Sequence, residues 1–229
     1  MQIKIKTISL PLPLRMGRVN CYLIQTDAGY VLIDTGGSNN RQELVQELGK
    51  AGCMPGSLKL IVITHGDFDH TGNAAYLRRT FGSKIAMHAD DVGMVVQADM
   101  FVNRKKPNLL IRMLLPLFSR FGRAERFTPD VLLRDGDNLG AYELDARVIS
   151  IPGHSKGSIA ILTASGDLFC GDLLENTAQP ALGSLMDDLP AAKSSLHRLG
   201  SLGIGTVYPG HGQPFSLEEI REEITKIAI

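Results

Sequence analysis

Hydrophobic and polar positions alternate with a period of two over the opening residues. Residues 2–8, 19–26 and 29–34 read as strands, with Asp27-Ala28-Gly29 as the turn between the last two. The period then lengthens. Leu44, Val45 and Leu48 recur at helical spacing within 40–51, and Gly52 supplies the stop. Leu60-Ile61-Val62-Ile63 is continuously apolar, as in a strand covered on both faces. A helix is expected from about His70 to Arg79, followed by a short strand at 84–87. Strand patterns return at 130–134, 139–151, 157–163 and 167–171. A helix at 188–202, a strand at 204–208 and a final helix at 216–227 complete the reading, the last opened by the capping-box pair Ser216 and Glu219. Strands outnumber helices in both halves, so an α/β (α+β) chain with two packed sheets flanked by helices fits better than one doubly wound sheet. The whole chain, 1–229, reads as a single domain.

One stretch breaks the pattern. Residues 91–126 combine Met, Leu and Phe with Arg104, Lys105, Lys106, Arg112, Arg120 and Arg123, and are interrupted by Pro107 and Pro116. They read as a helical insertion, either packed on the core or forming a basic, apolar lid that favours an apolar substrate with an anionic group.

Composition narrows the function classes. Twenty-four basic and 24 acidic residues give zero net charge, which disfavours a polyanion-binding surface, and no nucleic-acid partner is expected. No apolar run approaches the length of a membrane span, and the charged N-terminal alternation is unlike a signal peptide. Cys21, Cys53 and Cys170 show no CxxC spacing, which points to a reducing, cytoplasmic setting and away from a thiolate metal site.

The chemistry is concentrated in histidines and aspartates. His65, Asp67, Asp69 and His70 crowd into six residues directly after the buried strand. His154 follows Ile151-Pro152-Gly153, Asp172 follows Cys170-Gly171, and His211 follows Tyr208-Pro209-Gly210. A lone histidine in a turn is ordinarily a packed or surface residue. Four histidines and three aspartates at five expected strand ends, all nitrogen and oxygen donors, instead suit zinc, iron or manganese. His88 and His197 lack such surroundings and read as structural, and Cys170 as a small buried hydrophobe. Asp34, in Asp34-Thr35-Gly36, reads as a carboxylate that orients a ligand histidine, since an aspartic-protease site would need a second such motif. Lys156 is a weak candidate for contact with an anionic substrate.

This order of residues resembles the metallo-β-lactamase superfamily across nearly the whole chain, from Asp34-Thr35-Gly36 to Pro209-Gly210-His211-Gly212. The resemblance implies a four-layer αββα sandwich with a dinuclear metal site along one edge of the sheets. It further implies that His65, Asp67 and His154 hold one metal, that Asp69, His70 and His211 hold the other, and that Asp172 bridges them. The family most often has histidine where this chain has Asp67. The extra carboxylate should lower the first metal's Lewis acidity and makes iron or manganese more plausible beside zinc. The activity so implied is hydrolysis of an ester-like bond (lactone, thioester or phosphate ester) in a small molecule, by a metal-bridged hydroxide, with Asp69 and Asp172 in the catalytic centre. The competing reading is a non-hydrolytic di-iron redox protein resembling the metal domain of flavodiiron proteins. With about 18 residues after His211, the added C-terminal helical domain typical of hydroxyacylglutathione hydrolases is not expected.

Overall fold

The computed structural model describes residues 3–104, 125–221 and 224–225. Its elements, in chain order, are β1 (Lys4–Pro11), β2 (Arg18–Thr26), β3 (Gly29–Ile33), α1 (Arg41–Lys50), β4 (Leu58–Val62), α2 (Phe68–Thr71), α3 (Ala74–Phe81), β5 (Lys84–His88), α4 (Val92–Gln97), β6 (Val131–Leu133), β7 (Ala146–Ser150), β8 (Ile159–Thr163), β9 (Asp167–Asn176), β10 (Ala181–Leu182), α5 (Leu189–Gly200), β11 (Thr206–Gly212) and β12 (Phe215–Ser216). Strands β1 to β6 form one sheet in sequence order, antiparallel from β1 to β3 and parallel from β3 to β6. The second sheet runs β12-β11-β9-β8-β7, with β10 beside β9 and only the β11–β9 pairing parallel.

The alternation along the strands produces three apolar layers. In β2, Val19, Cys21 and Leu23 face α1 and α3, whereas Tyr22 and Ile24 face the other sheet. Ile61 and Ile63 likewise pack toward the helices, and Leu60 and Val62 toward the second sheet, which is why that run is apolar without a break. A third layer joins the second sheet to Ala192, Leu196 and Leu199 of α5. Helix, sheet, sheet, helix is the four-layer arrangement expected.

Several elements differ from the sequence reading. The expected helix at 70–79 is two, α2 and α3. Between them the buried Asn73 turns its amide back to Thr35 O and Gly37 O, at 2.8 and 2.9 Å, and a side chain committed to backbone carbonyls marks a new helix start. Only 146–150 of the expected strand 139–151 is strand, because Gly140–Tyr142 form a 3₁₀ turn ending in left-handed Glu143. The capping box at Ser216 and Glu219 is present, but the expected helix begins as a 3₁₀ turn, Leu217–Ile220, with residues 221, 224 and 225 helical beyond it. Strands β9 and β11 extend further than expected, so Asp172 and His211 lie within strands. Their pairing shifts register between Tyr208, Pro209 and His211, and this bulged stretch carries His211. Of the expected insertion, Asp91, Met94 and Val95 are buried and its start is thus integrated into the fold, while 105–124 lie outside the described residues. The three cysteines are free and buried.

Phe169 joins the sheets beneath the site, stacked on Tyr208 at 4.9 Å between centroids and tilted against Tyr22 at 5.2 Å. It is fully buried. Phe169→Ala should therefore cost about 3–5 kcal/mol of stability, read from the shift of a denaturant unfolding curve.

Candidate metal centre

The seven clustered candidates from the sequence, four histidines and three aspartates, converge at one edge of the sandwich. The loop that leaves β4 carries His65 and Asp67, and α2 behind it carries Asp69 and His70. His154 comes from the β7–β8 connection, Asp172 from β9 and His211 from β11. Their inward-facing atoms form two adjacent groups. His65, His154 and Asp172 make one, and Asp69, His70 and His211 the other, the ligand atoms of each within 4.8 Å of one another. Asp67 Oδ2 adds to the first, 3.0 Å from His154 Nε2 and 3.7 Å from His65 Nε2. Asp172 reaches both groups, its oxygens lying 3.8 and 4.0 Å from Nε2 of His65 and His154, and 3.3 Å from Nε2 of His70 and of His211. Asp69 Oδ2 lies 3.5 Å from His211 Nε2 and 3.8 Å from His70 Nε2.

Every one of these imidazoles is held from behind. His154 Nδ1 donates to Leu185 O and His211 Nδ1 to Arg18 O, both at 2.7 Å. His70 Nδ1 donates to Asp34 Oδ2 at 2.8 Å. His65 Nδ1 lies 3.0 Å from Thr64 Oγ1, whose own hydroxyl donates to Asp34 at 2.7 Å. Asp34 thus orients one ring directly and a second through Thr64, which is more than the sequence suggested. It does so from a left-handed backbone (φ 59°), a conformation that aspartate tolerates and that this turn over-determines. With Nδ1 occupied outward, Nε2 is the atom each ring offers to the centre.

The inward atoms are poorly satisfied by protein. His65 Nε2, His70 Nε2 and Asp172 Oδ1 are buried with no hydrogen-bond partner, a costly arrangement unless a cation completes it. Oxygen and imidazole donors without thiolate fit a divalent ion of the zinc, iron or manganese type. Without one, protons share the site. Burial opposes charge on His154, but its hydrogen bond to Asp67 and the charges of Asp172 and Asp67 outweigh it and raise its pKa to about 9. His211 is likewise raised to about 9, burial being outweighed by Asp172. Burial pushes the Asp69 carboxyl up, and the charge of Asp172 adds to the effect against the pull of His70.

Two residues escaped the sequence reading. Asp91, only 2% exposed, accepts from Gly66 N (2.9 Å), Ser155 Oγ (2.6 Å) and Gly157 N (2.8 Å). It ties the loop bearing His65 and Asp67 to the loop bearing His154. Arg104, read as part of a basic lid, turns inward instead, with Nη1 2.5 Å from Asp67 Oδ1. Neither has a local signal, because apart from Met100 O their partners are 25 to 83 residues away in sequence. Lys156 stays exposed, 3.7 Å from Asp90. Gly210 is required by contact. A Cβ there would stand 2.1 Å from Asp172 Oδ1 and 2.8 Å from His70 Cε1, so only glycine lets β11 pass behind the centre.

The chain belongs to the metallo-beta-lactamase superfamily, which it matches over residues 14–211. It is a metal-dependent hydrolase of that superfamily. It is 29% identical over 226 residues to the acyl-coenzyme A thioesterase MBLAC2 of Bos taurus, covering 89% of this chain and 76% of that protein. With hydroxyacylglutathione hydrolase GloC of Haemophilus influenzae it shares 27% identity over 168 residues, 71% of this chain and 70% of the relative. Among solved structures, the di-iron-bound form of TTHA1623 superposes with a TM-score of 0.69 at 28% identity, covering 92% of this chain and 96% of that one.

Removing the Asp34 carboxylate should release two rings at once. Asp34→Ala is expected to lower divalent-cation affinity by about 10–100-fold, measured by competition with a chromophoric chelator. The raised histidine pKa values carry a second expectation. Groups near 6.5 when unfolded and about 9 when folded stabilise the metal-free chain fully below pH 6.5 and lose that contribution as pH rises through 9. Chelator-treated protein should therefore lose thermal stability across that window, and protein saturated with zinc should not.

Proposed function

We propose that this chain hydrolyses a thioester of a small acyl compound, using two divalent cations, with zinc the native ion. The reading rests above all on one observation: four imidazoles, each fixed through Nδ1, aim Nε2 at a buried cluster of three carboxylates. His65, Asp67 and His154 would hold the first cation, Asp69, His70 and His211 the second, with Asp172 shared between them. Ions bound there would polarise the substrate carbonyl and lower the pKa of a water near it. The chain's own residues then have distinct tasks. Asp34 and Thr64 keep two of the rings in register, which preserves the geometry the reaction requires. Asp69, at the inner wall beside His211 and His70, is placed to carry a proton toward the leaving thiolate. Lactones and phosphate esters need the same parts. Thioesters come first because the two similar proteins named for their substrates, a thioesterase and a hydroxyacylglutathione hydrolase, both act on acyl thioesters by name. The buried, unpaired thiols fit residence in a reducing cytoplasm.

Metal-free protein reconstituted separately with zinc, manganese and iron(II) should be assayed on a thioester, a lactone, a phosphomonoester and a phosphodiester. The thioester should turn over fastest in the zinc form. His65→Ala and Asp172→Ala should fall to background turnover and lose bound metal. Full turnover and metal content in either variant would sink the assignment. A native iron content with no hydrolysis of any substrate would favour the di-iron redox reading; a similar protein has been solved with two irons bound.

A further inference from the structure

The two halves of the centre differ in one respect that their ligand types do not reveal. Beside the first half, the Arg104 side chain is 9% exposed and each of its three guanidinium nitrogens meets a protein acceptor. Nη1 donates to Asp67 Oδ1 at 2.5 Å and lies 3.3 Å from Met100 O. Nε donates to Asp187 Oδ2 at 2.6 Å, and Nη2 to His154 O at 3.3 Å. A guanidinium so occupied has little left to offer an anionic substrate. It also takes only one oxygen of Asp67, so Oδ2 alone faces His65 and His154. Beside Asp69, by contrast, the ion-pair partners among the described residues are His70 and His211, both ring nitrogens of the centre itself.

We propose that Arg104 is a built-in counter-cation of the first metal position. It cancels the charge that Asp67 brings in place of a neutral imidazole, and it fixes that carboxylate as a one-oxygen ligand. The inference rests on the dinuclear reading above. A fixed positive charge one carboxylate away from a divalent ion repels that ion, and little water lies between to screen it. The first position therefore fills after the second and at least about tenfold more weakly. Asp67 and Arg104 form a matched pair, and exchanging either alone unbalances the site in opposite directions.

Zinc binding by calorimetry on chelator-treated protein tests this. The native chain should show two steps separated by at least tenfold, and His211→Ala, which cripples the second position, identifies the weaker step as the first. Arg104→Met should tighten that step by tenfold or more, and Arg104→Lys should leave it within a few-fold of native. Asp67→His should weaken it by tenfold or more, because Arg104 then loses its buried counter-charge and keeps only Asp187, whose side chain is 38% exposed. Adding Arg104→Met to Asp67→His should restore native affinity. This double variant carries no unpaired buried charge, so it decides the matter even if Arg104→Met alone fails to fold. Two zinc ions bound by the native chain, with an unchanged or weaker first step in Arg104→Met or with Asp67→His binding as tightly as native, would overturn the role of Arg104 alone. Uptake of no second ion by the native chain would overturn both this inference and the dinuclear reading.

Discussion

Asp172 holds its carboxylate within 4.0 Å of Nε2 of four histidines, and most of the architecture around it follows from the cost of burying such a group. A desolvated carboxylate needs cationic or hydrogen-bonding partners, and a desolvated imidazole needs both its nitrogens accounted for. The fold meets half of this demand with protein. Each histidine is anchored behind by a carbonyl, a carboxylate or a hydroxyl, and the inner half is left to a cation. The backbone around the centre is shaped accordingly. Gly210 is bare where a side chain would strike Asp172, Asp34 is held in a left-handed turn, and the β11–β9 pairing shifts register where His211 must project inward.

The two sheets divide this labour. The first contributes the His65–His70 loop from the end of β4. The second contributes His154, Asp172 and His211 from three separate places. Ties across the interface keep the two contributions in register. Asn20 and Tyr22 of β2 donate to Pro209 O at 3.1 and 2.6 Å, fixing the strand that bears His211, and Asp91 fastens the His154 loop to Gly66. The centre is thus assembled by inter-sheet packing, and the packed rings of Tyr22, Phe169 and Tyr208 below it are part of its foundation.

Charge balance explains how a third carboxylate can stand among the histidines of the centre. Asp67 is buried beside Asp172 and Asp69, and its charge would be hard to sustain there alone. Burial disfavours its charged form, yet the hydrogen bond from His154 and the nearby histidines and Arg104 hold its carboxyl well below the usual carboxylate range. The basic residues at 104–106 looked in sequence like a surface feature directed at substrate. Arg104, the one of them described, points inward and serves the protein's own acid.

The sequence by itself determined the strand periodicity, the two-sheet architecture and the metal-binding character of the centre. Those rest on local spacing: alternation along a strand, four donors in six residues, and Pro-Gly turns before His154 and His211. Asp34 was legible for the same reason, lying at the end of an apolar run with nothing else nearby to explain it. Tertiary structure alone decided which atoms meet. The break between α2 and α3 depends on Asn73 reaching back to Thr35 and Gly37, and the roles of Asp91 and Arg104 depend on partners brought close by sheet packing. Hydrophobic spacing leaves its mark along the chain because every residue of an element must obey it. A buried ion pair or hydrogen-bond tie between distant residues leaves no periodic trace, and only the folded coordinates reveal it.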